Sequence, residues 1–398
     1  MSSSDTRHAD GAATRLRRAA TIGDLRELAR RRLARMVFDY IDGAAGEEGT
    51  AARNREALQR ACLLPEVLVD VSSRSLACTL FGQELAMPVV VGPTGLNGAA
   101  WPRGDLCLAR AAAQAGVAFV MSTAATSSLA EVAQAAGPLR WFQLYMLRDR
   151  ELAREFLQRV RDHGFHVLEL TVDTAVGGRR PRDIRNGFTL PLRWNAANLL
   201  DAARHWRWAA GMVRQGTPEL KVFAELLGRA ARGDTISEVM QQQLSGSFTW
   251  NEVAWLREQW SGPLVLKGLS SPEHARRAGA LGVDGAVLSN HGGRQLDGAG
   301  ATIEALPGFV EAARGKLTVL IDSGFRTGTD IAKAIALGAD GVQLGRATLY
   351  GLAAAGTPGA RHALAILAQE LELAMALCGA RHVGELRGRC LAPDGAGR

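Results

Sequence analysis

Tyrosine, cysteine and long apolar runs are what this chain is short of: among 398 residues there are three tyrosines, five cysteines and no stretch of eighteen apolar residues. Cys62, Cys78, Cys107, Cys378 and Cys390 are odd in number, scattered and without C-x-x-C spacing, which argues against a disulfide framework or a zinc site. They are expected as buried thiols, and no metal is expected. Without a long apolar run no spanning helix is expected. The N-terminus begins with Ser, Asp, Arg and His and lacks an apolar signal core, so cytoplasmic residence is the expectation. No nucleic-acid-binding motif is visible, and the few tyrosines leave little for a base-stacking platform. A net charge of +7 suits acidic small molecules, anionic membranes or nucleic acid, and charge alone does not choose among them.

What is present is a rhythm. Residues 1–20 are polar and rich in Ala and Arg, and read as a mobile tail. A first helix follows, with Asp24 and Glu27 as a capping box and Leu25, Leu28, Met36, Val37 and Tyr40 near one face, ending near Gly43. Short β-type runs between Leu68 and Leu80 predict a hairpin closing one end of the main domain. From Met87 onward, apolar runs alternate with Ala- and Leu-rich helical stretches. The runs cover residues 88–92, 117–121, 141–145, 167–172, 263–267, 286–289, 318–321 and 341–345. Between them helices are predicted at 105–115, 150–162, 272–281 and 329–337. Eight βα units predict a single closed (β/α)8 TIM barrel over residues 21–385, with its site at the C-terminal ends of the strands and a C-terminal tail at 386–398.

One connection is too long. About ninety residues separate the fourth run from the fifth, where a βα unit needs about thirty. Trp250–Trp260 reads as the ordinary barrel helix, leaving an insertion at 188–246 that is expected on the active-site face as a lid or docking surface. Between Thr189 and Gly216 it carries Trp194, Trp206 and Trp208 among Arg193, Arg204, Arg207 and Arg214, with Asp201 the one acidic residue. Leu199, Ala203, Trp206, Ala210 and Val213 recur at helical spacing. This fits a helix lying in an anionic membrane interface, or one packed on the barrel rim or an oligomer contact.

The strand ends collect polar groups. In Ala286-Val-Leu-Ser-Asn-His-Gly-Gly-Arg-Gln-Leu-Asp297 an apolar run stops abruptly and delivers His291 and Arg294 past a glycine turn, so that a base and a cation face one space. Elsewhere the ends bring Pro93-Thr94-Gly95, Ser122, Gln143 and Tyr145, Thr171 and Asp173, Arg179 and Arg180, and Lys267. The last two, Asp322-Ser-Gly324-Phe-Arg326 and Gly345-Arg346, combine exposed backbone N–H groups with arginine forks where barrels hold phosphate, which indicates a phosphate-bearing cofactor. A phosphosugar- or nucleotide-binding barrel, or a binding protein on a barrel scaffold, would explain these loops but leave Arg180, Lys267, His291 and Arg294 without a joint role.

The string Ser289-Asn-His-Gly-Gly-Arg-Gln-Leu-Asp297 resembles the active-site signature of the FMN-dependent 2-hydroxy acid dehydrogenases and oxidases, and the resemblance extends over residues 22–382. It implies an FMN whose phosphate is held by Gly324, Arg326, Gly345 and Arg346, and whose ribityl chain is held by Asp322. The flavin ring would lie on Pro93, Thr94 and Gly95, with Ser122, Gln143, Thr171 and Ser289 among its polar contacts and Lys267 near N1, where its charge favours the reduced cofactor. It further implies that Arg180 and Arg294 bind the substrate carboxylate with help from the Tyr40 hydroxyl, and that Tyr145 hydrogen-bonds the 2-hydroxyl. His291 would be the base and Asp173 its orienting carboxylate.

The reaction so implied oxidises an L-2-hydroxy acid to a 2-oxo acid, with His291 taking a proton either from the α-carbon or from the hydroxyl as hydride leaves. Oxygen, a quinone or a cytochrome would reoxidise the flavin. Within the family, residues 36–43, 92–98, 101–105 and 322–328 resemble the bacterial mandelate dehydrogenase branch. Gly95 and Ala124 stand where glycolate oxidase carries Ala and Trp, so a pocket enlarged for an aromatic acid is expected, with lactate or another aliphatic acid as the alternative. The insertion is longer than in that branch and nearer the membrane-linked lactate dehydrogenases. A homo-oligomer, a tetramer, is implied by the resemblance alone.

Overall fold

The computed structural model describes residues 14–188, 195–216, 218–227, 247–313 and 315–391. The eight apolar runs are the eight parallel strands of a closed barrel: Val89–Val91 (β1), Ala118–Ser122 (β2), Arg140–Leu144 (β3), Val167–Thr171 (β4), Leu264–Leu269 (β5), Gly285–Leu288 (β6), Thr318–Ile321 (β7) and Gly341–Leu344 (β8). Each pairs with the next, and β8 closes on β1 through Val342 opposite Val89. The predicted helices stand at Gly104–Gln114, Arg150–Asp162, Pro272–Ala280 and Gly328–Ala336. Arg150–Asp162 shows why such stretches form. The Asp149 side chain caps the backbone N–H groups of Glu151 and Leu152, and Ala153, Phe156, Leu157 and Val160 bury one stripe against the barrel.

Alternation along the strands decides what faces the barrel axis. At the N-terminal end the interior holds one apolar cluster that includes Val120, Trp141, Val167, Val265, Val287 and Leu320. Two residues further along the same strands stand Ser122, Gln143, Glu169, Lys267, Ser289 and Asp322, all buried. The core therefore changes from apolar to polar within one pleat.

Several expectations are corrected. The hairpin is Cys78–Leu80 with Gln83–Leu85, later than predicted, because Leu68 is fully exposed at φ 62° and has no facing strand. Leu80 and Leu85 plug the N-terminal mouth of the barrel, and Phe81 packs edge-on against Trp141 at 5.3 Å. The single first helix is two, Ile22–Arg32 and Arg35–Asp42, separated where Leu33 turns extended. Its capping box pairs Thr21 with Asp24. Asp24 occupies the third helical position and so cannot be the cap that the Asp24–Glu27 pairing required.

Residues 1–13 of the expected tail lie outside the described residues, but residues 14–18 are helical and Ala19 is buried, its carbonyl accepting from His362 Nε2 at 2.7 Å. At the other end, Leu386 is buried and Cys390–Leu391 pairs with Cys62–Leu63, so the folded unit continues past 385.

In the insertion the expected single helix is also two, Ala196–Arg204 and Trp206–Gln215, broken at His205. Trp208 is buried and donates to the Ala99 carbonyl at 2.8 Å, while Leu199, Leu200, Trp206 and Val213 are exposed. Arg193 and Trp194 lie outside the described residues.

Candidate active site

The C-terminal strand ends enclose a cavity of about 480 Å³, and eighteen of the twenty residues expected in the site stand in its wall. The other two, Asp173 and Ser289, stand behind it. The Ser289 hydroxyl is buried and accepts from Lys267 Nζ at 3.1 Å and from the His291 backbone N–H at 3.0 Å. Asp173 lies behind His291, whose Nδ1–H donates to its two oxygens at 3.1 and 3.2 Å. That fixes the ring and leaves Nε2 facing the cavity.

Gly268 makes this approach possible. It forms a bulge in β5 at φ 104°, and a Cβ there would lie 2.6 Å from Asp173 Cβ and Cγ. Burial by itself would raise the Asp173 carboxyl, but His291 and Lys267 outweigh it and hold the group below the ordinary carboxylate range.

Two groups of arginines stand at two ends of the cavity. At one end Arg294 Nη1 donates to the carbonyls of Tyr40 and Gly43, while its Nε and Nη2 make no hydrogen bond among the described residues. Its guanidinium lies 5.0 Å from the Tyr40 ring centre, and that of Arg180, held by Asp183 at 2.6 Å, lies 5.9 Å from it. At the other end Arg346 caps the carbonyls of Ile41, Gly292 and Gly43, and Arg326 stands over Tyr350 at 5.5 Å. No described carboxylate lies within ion-pair distance of Arg294 or Arg346. Burial pushes Arg346 down to about 10, and its neighbours Arg294 and Arg326 push the same way. A bound anion would reverse that penalty, as expected of a phosphate site.

Between the two ends lies a polar floor. Lys267 pairs with Asp322 at 2.8 Å, and Asp322 also accepts from the Ser323 hydroxyl at 2.7 Å. Burial opposes the ammonium, but Asp322, Asp173 and Glu169 raise Lys267 above the ordinary lysine range, so it stays charged. Gln143 Oε1 accepts from Ser122 Oγ at 3.0 Å, while its buried Nε2 has no hydrogen-bond partner among the described residues. An orphaned donor in this floor, with glycines and arginines at one end, fits a flavin mononucleotide whose ring oxygens accept and whose phosphate is anionic.

A Cβ on Gly95 would meet the Ala124 Cβ at 2.9 Å, so Ala124 already occupies part of the space that Gly95 leaves. Phe188, stacked on Tyr40 at 4.5 Å, and Leu220 complete this side from the insertion. Both were missed by sequence reasoning, because the insertion has no strand–helix rhythm. Gln343 in the floor and Glu169 beneath it were missed too, although each lies two residues before a predicted site residue on the same strand face.

The family model described as FMN-dependent dehydrogenase matches residues 29–393. The (S)-mandelate dehydrogenase of Pseudomonas putida is 44% identical over 365 residues, which is 92% of each chain. An L-lactate dehydrogenase of Caulobacter sp. (strain K31) is 45% identical over 368 residues, 91% of this chain and 96% of its own. Among solved structures, the monotopic membrane protein (S)-mandelate dehydrogenase matches with a TM-score of 0.90 at 42% identity, covering 94% of this chain and 100% of that one. Sequence similarity along nearly the whole chain and the same barrel thus agree with the cavity's chemistry, and this chain belongs to the FMN-dependent dehydrogenase family.

Proposed function

We propose that the protein oxidises an L-2-hydroxy acid with an aromatic substituent, such as (S)-mandelate, to the 2-oxo acid, with His291 as the base. The observation that carries this reading is the Nε2 of His291, backed by Asp173 and sharing the cavity with Arg294, whose Nε and Nη2 have no partner among the described residues and suit a carboxylate. Arg294 and Arg180 bind the substrate carboxylate in a planar fork, and Tyr40 closes over it. Burial pushes the Tyr145 hydroxyl up to about 12, so it remains a donor to the substrate's 2-oxygen. His291 takes a proton from the α-carbon or from the hydroxyl, and Asp173 stabilises the imidazolium that results.

FMN, when bound, supplies the two-electron acceptor. Arg326, Arg346, Gly324 and Gly345 would hold its phosphate, Pro93, Thr94 and Gly95 would support its ring, and Gln143, Ser122, Thr171 and Lys267 would meet its polar edge. The cavity wall at Gly95, Ala124, Phe188 and Leu220 supports an aromatic side chain, which such apolar surface binds by excluding water. The specific observation favouring lactate is that Ala124 already fills part of the Gly95 space. Comparing kcat/KM for (S)-mandelate, L-lactate and glycolate tests the reading, and a preference for lactate or glycolate would overturn the aromatic assignment.

The insertion supports peripheral attachment to an anionic membrane, with a quinone, in place of oxygen, reoxidising the flavin. No described helix is long and apolar enough to cross a membrane. Leu199, Leu200, Trp206 and Val213 are 56–84% exposed beside the exposed Arg204, Arg207 and Arg214. Co-sedimentation with anionic and neutral liposomes, compared with a variant lacking residues 196–215, tests attachment. Equal recovery in the supernatant for both proteins would make the helices rim packing.

A further inference from the structure

Beneath the cavity floor lies a carboxyl group that the proposed chemistry does not use. Glu169 stands in mid-strand on β4, fully buried, two residues past Val167 of the apolar cluster and two before Thr171 of the cavity wall. Gln343 of β8 lines the cavity and donates from Nε2 to Glu169 Oε2. The charged groups acting on Glu169 are Lys267 from β5, Asp322 at the end of β7 and Asp173 after β4. Lys267 is paired with Asp322, and no described cation lies within ion-pair distance of Glu169.

Two atoms at this contact are orphaned. Glu169 Oε1 and Gln343 Oε1 are both buried and both lack a hydrogen-bond partner among the described residues. With an ionised carboxylate they are two acceptors without a donor, each desolvated without compensation. A proton on Glu169 Oε1 removes both faults, because Oε1–H then donates to Gln343 Oε1 while Gln343 Nε2 donates to Glu169 Oε2. An acid and a primary amide can close such a ring of two hydrogen bonds face to face. Burial acts in the same sense, pushing the carboxyl up to about 7 against the pull of Lys267 and of the Gln343 bond.

We propose that Glu169 is a redox-coupled proton site: its carboxylate takes up a proton when the cofactor above it is reduced, closing the two-bond ring with Gln343 as a neutral acid, and releases that proton on reoxidation. The inference rests on the FMN-dependent reading given under Proposed function. Reduction adds negative charge at the cavity floor beside Lys267, which weakens the field that Lys267 offers the Glu169 carboxylate and favours the neutral acid. The balance closes. The substrate gives two electrons and two protons; the cofactor takes both electrons and one proton, and the other leaves His291 for bulk water. Glu169 takes one proton from bulk water, and that proton returns when the external acceptor removes the electrons.

The test is the pH dependence of the bound-FMN midpoint potential in the holoenzyme and in Glu169→Gln. The amide in the variant can still form the two-bond ring with Gln343, so folding is preserved. Wild type is expected to show a window around and above neutral pH in which one extra proton accompanies two electrons. There the slope steepens by about 30 mV per pH unit, which is tenfold in the equilibrium constant for a two-electron couple. The variant is expected to lack that window, and superimposable pH profiles would overturn the proposal.

Infrared spectroscopy of the cofactor-free protein gives a second readout. A protonated-carboxyl band lost near neutral pH in wild type and absent from Glu169→Gln is expected, and loss of that band in the ordinary range for glutamate would overturn the proposal. Protein that cannot be loaded with FMN would overturn both the functional reading and the coupling. The infrared result would then report separately on whether Glu169 holds its proton.

Discussion

The two ends of this barrel are built from the same eight strands and differ by one pleat. At the N-terminal mouth the inward positions carry Val120, Trp141, Val167 and Leu320 under a hairpin plug, with the Trp141 indole N–H satisfied by Gln83 at 2.8 Å. At the C-terminal mouth the next inward positions carry Ser122, Gln143, Glu169 and Asp322, and the loops beyond add His291, Arg294 and Arg346. The first end is stabilised by apolar burial, which needs no partners. The second keeps buried charges and orphaned amide groups, which is destabilising without a ligand and useful with one. One end holds the molecule together, and the other is left incomplete for chemistry.

The largest test of that contrast is His291→Ala. Flavin reduction by substrate should fall by several orders of magnitude while FMN stays bound, measured by stopped-flow bleaching of the flavin absorbance. Near-parental reduction would place the base elsewhere.

The converse change at the lower end is Trp141→Ala. It should cost about 3–5 kcal/mol of stability in denaturant titration and leave the turnover of the folded fraction nearly unchanged. A loss of turnover without a loss of stability would erase the division of labour between the ends.

Ala124→Trp sharpens the comparison within the rim. Filling the space between Gly95 and the insertion should lower kcat/KM for mandelate by roughly 10- to 200-fold and affect glycolate far less. Equal losses on both substrates would mean that the wall does not select the side chain.

The smallest expected effect concerns acid. Burial alone would raise the Asp42 carboxyl, but Arg26 at 2.6 Å, Tyr350 at 2.8 Å and Arg182 at 3.0 Å hold it down at about 2. Because its folded value lies below its unfolded one, Asp42 contributes its stability fully above about pH 4. That contribution is lost as pH falls towards 2, and it amounts to about 2 kcal/mol. Thermal unfolding across this range should show the loss in wild type and much less of it in Asp42→Asn. Parallel curves would show that the pairing around Asp42 adds nothing to stability.

Much of this was legible in one dimension. Strand period, helix period and the abrupt apolar-to-polar ends of the eight runs marked the barrel, the face that carries the cavity and eighteen of the residues in its wall, because in a barrel each strand end reports directly on the site. His291, Arg294, Arg326 and Arg346 are recognisable because each stands just beyond the end of a short apolar run. Glu169 and Gln343 were hidden by the same rule: each sits inside a run that reads as a buried strand, where a polar residue is recognised only once its partner across the barrel is known.

By itself, then, the sequence determined the number and order of the strands and the end of the barrel at which polar and charged groups gather, since these follow from local periodicity and residue type. Tertiary structure alone decided contacts between residues remote in sequence. Ser289 was moved behind the cavity wall, where it accepts from Lys267, and Ala124 was set into the space left by Gly95. Trp208 was turned inward while Trp206 stayed in solvent, and Glu169 was placed against Gln343, 174 residues away. Such pairings depend on how the closed barrel registers its strands and on which helix face finds a neighbour, and neither is encoded in the spacing of a single segment.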